Sequence, residues 1–107
     1  MELGRLELAI ADFDRVLTVD AHHADATNNR ALAFLKLNKL EEAIAGFSSA
    51  ILLDPTYAYA YNNRGVAWRR KSERERAIAD FTAAIDLLPT YVSALNNRGE
   101  QLMEGGR

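Results

Sequence analysis

The sequence predicts an all-α fold, a stack of antiparallel helix pairs built on one repeating unit. Three observations carry that prediction. The tripeptide Asn28-Asn29-Arg30 returns as Asn62-Asn63-Arg64 and as Asn96-Asn97-Arg98, each 34 residues after the last. The block Ala9-Ile10-Ala11-Asp12-Phe13 returns in the same register as Ala43-Ile44-Ala45-Gly46-Phe47 and Ala77-Ile78-Ala79-Asp80-Phe81. Asp54-Pro55-Thr56-Tyr57 answers to Leu88-Pro89-Thr90-Tyr91 at that same period. Independent blocks sharing one period of this length mark a repeat architecture.

Each period divides into two helices. The second carries Ala43, Ile44, Phe47, Ala50 and Ile51, and one period later Ala77, Ile78, Phe81, Ala84 and Ile85. That spacing is the apolar stripe of an amphipathic helix. Alternation of small Ala with large Phe suits close helix packing. The first helix places Thr27, Ala31 and Phe34, then Tyr61, Gly65 and Trp68, then Leu95, Gly99 and Leu102 on one face. Pro55 and Pro89 stop the second helices, and Asn38 and Ser72 fall where the paired helices turn. Helices are therefore expected at 5–19, 24–37, 40–53, 58–71, 74–87 and 92–105. Short connections make neighbours antiparallel. In one domain, two full repeats (24–57 and 58–91) lie between two half repeats (1–21 and 92–107).

The totals exclude several classes. At 107 residues, 49% hydrophobic and 26% charged, the chain has the balance of a soluble globular domain. It has no cysteine, hence no disulfide framework, thiolate nucleophile or cysteine-bearing zinc site. No apolar run approaches the roughly 20 residues of a membrane span. Met1 is followed by Glu2 with neither a basic start nor an apolar signal core, so the expected location is the cytoplasm. Net charge is −2, but residues 1–59 carry five Lys/Arg against nine Asp/Glu, and residues 60–107 eight against six.

With these residues set out, a family can be named. The pattern resembles the tetratricopeptide repeat, whose first helix carries an aromatic, a Gly or Ala and another aromatic. Its second helix carries Ala, an aromatic and Ala, with a closing Pro. Tyr61, Gly65, Trp68, Ala77, Phe81, Ala84 and Pro89 fill those places. Ala31, Phe34, Ala43, Phe47, Ala50 and Pro55 do so one period earlier, with Thr27 for the first aromatic. The departures are Arg30, Arg64 and Arg98 where Leu is usual, Val16 for the last Ala of the first half repeat, and Ala21 for its Pro. The resemblance implies a right-handed superhelical α-solenoid, and a protein-binding role in place of catalysis.

Helical geometry separates the faces of each first helix. With Tyr61, Gly65 and Trp68 inward, Tyr59, Asn62, Asn63, Val66, Arg69 and Arg70 point the other way. Their counterparts are Asp25, Asn28, Asn29, Leu32, Leu35 and Lys36 one period earlier, and Ser93, Asn96, Asn97, Glu100, Met103 and Glu104 one period later. The resemblance implies that these positions line a concave groove for a peptide or protein ligand. An asparagine amide donates and accepts, so it can match a peptide backbone without demanding a sequence. The alternative is that the asparagines bond to neighbouring helices and hold the repeat. Arg30, Arg64 and Arg98 lie beside the packed face and are expected to pack their stems and pair their heads with nearby Asp or Glu.

A subgroup of the family grips the acidic tails of heat-shock chaperones with Lys and Asn on one first helix, Asn on the next, and Lys and Arg on a third. The matching positions here are Asn28, Leu32, Asn63, Ser93 and Asn97, of which Asn63 alone fits. A carboxylate pair needs the missing cations, so that ligand is not expected.

Other chemistry is not expected. Asp20, His22, His23 and Asp25 read as a solvated turn, since adjacent histidines diverge and no third partner stands at helical spacing. Arg69, Arg70, Lys71, Arg74 and Arg76 beside Trp68 suggest nucleic acid, but Glu73 and Glu75 interleave them and Trp68 belongs to the packed face. No phosphate loop, triad or paired acid and base is visible; no enzyme and no cofactor is expected.

The ends carry a second expectation. Met103 to Arg107 stands three periods after Met1 to Arg5, with four of five residues identical. Helix 5–19 offers Leu6, Leu8, Ile10, Phe13, Val16 and Leu17, and helix 92–105 offers Leu95 and Leu102, where a terminal helix should be polar outside. Four such side chains left open forgo roughly 6–12 kcal/mol of burial. The chain is thus a piece of a longer repeat scaffold or a self-assembling unit joined through Leu6, Ile10, Leu95 and Leu102.

Overall fold

The computed structural model describes residues 2–105, which form six α-helices and no strand. They are α1 (Glu2–Val19), α2 (Ala24–Lys36), α3 (Leu40–Leu53), α4 (Ala58–Arg70), α5 (Arg74–Leu87) and α6 (Val92–Gly105). Within these residues no helix is long and apolar enough to cross a membrane. Met1, Gly106 and Arg107, part of the terminal five-residue correspondence, lie outside the described residues. Packing divides the chain into two compact units, Met1–Pro55 and Thr56–Arg107.

In the first unit α2 packs on α1 and, more extensively, on α3. The α2–α3 crossing is tight because its residues are small: a Cβ added at Gly46 would lie 2.7 Å from the Ala31 Cβ. Ala43, Phe47 and Ala50 of α3 are fully buried there. In the second unit α5 packs on α4 and on α6, and α4 also touches α6. Ala77, Phe81 and Ala84 are fully buried, and the Phe81 ring fills the space over Gly65, where a Cβ would lie 2.5 Å from Cε1. The apolar stripes read from the sequence on α2 to α5 are the stripes that pack, whereas Leu95 and Leu102 of the α6 stripe are exposed.

The turns explain the helix ends. After α2, the Asn38 N–H bonds to the Leu35 carbonyl and the Lys39 N–H to the Phe34 carbonyl. After α4, Ser72 bonds to Arg69 and Glu73 to Trp68 in the same pattern. These are Schellman closures, and they hold Asn38 at φ 60° and Ser72 at φ 63°. Both helices therefore end one residue earlier than expected. A non-glycine residue in the left-handed region is strained, asparagine least. Ser72→Gly is expected to raise stability by about 1 kcal/mol, read as a higher urea midpoint; an unchanged or lower midpoint would contradict the strain. Gly4 occupies the same phase as Asn38 and Ser72, yet lies within α1 with no positive φ. Helix α1 thus starts three residues earlier than expected.

The second helices end differently. Asp54 and Leu88 cap α3 and α5 outside the helical region (φ −144° and −142°), as a following Pro55 and Pro89 favour. His23 caps α2, its Nδ1 accepting from the Ala26 N–H at 3.1 Å. That is the role the structure assigns to one of the two loop histidines.

Candidate functional site

The residues expected in a groove divide between buried and open positions. Asn28, Leu35 and Asn62 are buried, at 4%, 4% and 5% exposure. For these three the groove reading gives way to the packing one. Both α2 and α4 are covered by two other helices of their unit, so the buried arc is wider than the single stripe that spacing reveals. On α6, which packs less extensively on its neighbours, the equivalent Asn96 is exposed and donates to Glu100 at 3.5 Å. Asn29 is exposed, Asn63, Asn97, Leu32, Val66 and Arg69 are half-buried, and Tyr59 is 53% exposed.

In the second unit, side chains from α4, α6 and the loop before α6 form one directed chain of hydrogen bonds. Arg69 Nη1 donates to Asn97 Oδ1 at 3.2 Å, Asn97 Nδ2 to Asn62 Oδ1 at 3.2 Å, and Asn62 Nδ2 to the Tyr91 hydroxyl at 3.3 Å. Each amide thereby has its oxygen and nitrogen assigned. Tyr91 also meets Tyr59 edge-on, with centroids 5.2 Å apart at 89°, and Tyr59 meets Tyr57 at 6.4 Å. Burial raises the Tyr91 pKa above that of an ordinary phenol, while the Asn62 hydrogen bond pulls it back. Tyr91 is the site residue that helical spacing missed. It stands in a loop outside any helical face, and its one sequence signal was recurrence with Tyr57.

This arrangement can hold a polar chain. Arg69 carries five N–H groups, and one Nη1 hydrogen bond goes to Asn97. Asn97 remains half-exposed, and Tyr59 offers an aromatic surface held by its neighbour. The polar groups are thus set in place before any ligand arrives, which reduces the ordering a ligand must induce.

Of the arginines at the usual Leu position, Arg30 and Arg64 pair with aspartates as expected, whereas Arg98 meets a hydroxyl. Arg64 makes a two-pronged contact with Asp80, Nε to Oδ2 and Nη2 to Oδ1, both at 2.8 Å. The Asp80 hydrogen bond raises the Arg64 pKa against the opposing effect of burial. Arg30 pairs with Asp14, and Arg98 donates to Thr82 Oγ1 at 3.3 Å. Arg30 lies over Phe34 and Arg64 over Tyr61, at 4.8 and 5.7 Å from the ring centroids. Trp68 is half-buried with Arg76 4.8 Å from its ring centroid.

The residues expected to join copies are also placed. Leu6 and Ile10 are half-buried on α1, and Leu95 and Leu102 on α6 are 41% and 53% exposed. Leu6 lines a cleft of about 220 Å³ with Ala9, Phe13, Asn29, Leu32 and Lys36. Asn29 and Leu32, expected in the groove, therefore share a cleft with Leu6, expected at the joint.

A family model described as TPR repeat matches residues 31–71. The second TPR domain of the human RPAP3 protein, solved with the HSP70 peptide SGPTIEEVD, is similar at 34% identity and TM-score 0.85, over 92% of this chain and 82% of that one. The first TPR of Spaghetti (RPAP3), bound to the HSP90 peptide SRMEEVD, is similar at 25% identity and TM-score 0.92, over 97% and 82%. YrrB, described as a TPR protein with an unusual peptide-binding site, is similar at 27% identity and TM-score 0.84, over 91% of this chain and half (50%) of its own. No curated protein matches the chain by sequence. Repeat period, helix pairing and these likenesses agree: the chain belongs to the tetratricopeptide-repeat family.

Proposed function

We propose that this chain is a protein-interaction module that holds an extended peptide segment on the α4–α6 face of its second unit. The observation that carries the reading is the directed chain Arg69–Asn97–Asn62–Tyr91, which presets donors beside the exposed Tyr59 ring. Arg69 and Asn97 would meet backbone carbonyls or a carboxylate of the ligand, and Tyr59 an apolar side chain. Relatives solved with peptides make a peptide the natural ligand class.

The acidic chaperone tails are a different matter. Asn28, Ser93 and Asn97 stand where the subgroup's two lysines and its arginine would be, so the cations that hold a carboxylate pair are missing. SGPTIEEVD is therefore expected to bind more weakly than micromolar. Micromolar binding by calorimetry would overturn the specificity argument.

The module itself is tested by selecting peptides from a displayed random library and measuring their affinities. Arg69→Ala should weaken a selected peptide by about tenfold with little change in melting temperature, because Arg69 is only half-buried. If the library yields no binder, or if binders ignore Arg69→Ala and Tyr59→Ala, the α4–α6 face is not the site.

A further inference from the structure

The positions that α3 and α5 bury completely are open on α1. Ala43, Phe47 and Ala50, and likewise Ala77, Phe81 and Ala84, are all 0% exposed. Their equivalents on α1 are half-buried at Ala9 and Phe13 and exposed at Val16. On α6 the opening has the complementary shape. Gly65 is closed by the Phe81 ring, but a Cβ added at Gly99, one period later, would meet nothing within 4 Å. Leu102 stands at the phase of the half-buried Trp68 and is 53% exposed. One helix carries an uncovered knob and the other an unfilled hole, at the two phases that meet between α4 and α5.

The charges repeat the correspondence. Arg64 and Asp80 form the buried two-pronged pair of the α4–α5 contact. Arg98 on α6 stands one period after Arg64 and Asp12 on α1 two periods before Asp80, and Asp12 is exposed. The intervening α2–α3 contact has Gly46 at this phase and makes no such pair possible. Matched acid and base therefore recur at the two open faces.

We propose that α6 of one copy packs on α1 of a second copy as α4 packs on α5, with Phe13 seated on Gly99 and Asp12 paired with Arg98. The α4–α6 contact supplies the rest of the joint. Its Asn62–Asn97 hydrogen bond has the equivalent pair Asn96 of one copy and Asn29 of the other, and this would cover the exposed Asn96. Helix α6 then occupies the cleft that Leu6, Ala9 and Phe13 share with Asn29, Leu32 and Lys36. The joint links unlike faces, so it propagates head to tail or closes on itself. The balance of five basic against nine acidic residues before position 60, and eight against six after it, favours unlike ends. This association stands independently of peptide capture on the α4–α6 face.

Sedimentation velocity of the whole chain, from low to high micromolar concentration, tests it. The expected result is concentration-dependent association. Gly99→Leu fills the seat for Phe13 and should abolish association, while unfolding of the dilute protein is unchanged or shifted up, since the glycine stands in open space. Asp12→Arg and Arg98→Asp should each weaken association by about tenfold, and the two combined in one chain should restore it. A monomer at every concentration overturns the proposal. So does association that tolerates Gly99→Leu, or charge reversals that fail to rescue one another.

Discussion

Phe81→Ala is expected to lower the free energy of unfolding by about 3–5 kcal/mol, whereas Phe13→Ala at the same phase of the repeat should lower that of the dilute chain by about 1 kcal/mol. The residue type and its neighbours along the chain are nearly the same: Ala77-Ile78-Ala79-Asp80-Phe81 against Ala9-Ile10-Ala11-Asp12-Phe13. Surroundings differ. Phe81 is 0% exposed and closes over Gly65, so its removal leaves a cavity that the crossing of two helices cannot collapse. Phe13 is half-buried beside an open cleft, so its removal exposes little that water does not already reach. Urea unfolding followed by circular dichroism measures both, with Trp68, the single tryptophan, as an added probe of the second unit. Equal losses at the two positions would show that burial does not govern the difference.

Asp80→Ala should cost about 2–3 kcal/mol, since it removes both carboxylate oxygens from the Arg64 head and leaves that charge in a largely closed site. The figure is set below that of a fully buried pair because the Arg64 side chain keeps 22% exposure, against 9% for Asp80. Asp12→Ala changes an exposed side chain and should stay within about 0.5 kcal/mol in the dilute chain. The loss at position 80 should persist in high salt, because screening acts weakly on a pair shielded from solvent. A salt-sensitive loss, or one as small as that at position 12, would place the pair among surface contacts of little consequence.

Much of the fold was legible before the structure. Six helices, their order and the turns after the second helices follow from apolar spacing and proline chemistry, both properties of short segments. The stems and heads of Arg30 and Arg64 were also foreseeable, because a long cation beside a packed stripe has few alternatives. Less was legible in the site. Asn62 and Asn63 are adjacent and chemically identical, and spacing assigned both to the open face; α6 and α5, packing on α4 from two sides, enclosed Asn62. Tyr91 lay outside every helical face, so no periodicity could assign it to Asn62 and Tyr59.

What the sequence determined by itself is therefore what a repeat makes local: the period, the helix pairs, the packed stripe and the residue types available at each phase. The tertiary structure decided which copy of a phase is buried. Phe47 and Phe81 are enclosed where Phe13 is open, Asn28 and Asn62 where Asn96 is exposed, and Asp80 where Asp12 faces water. Chemically equivalent residues have the same propensity and reach, but burial depends on how many helices surround a position. That number is a property of the stack and not of the segment.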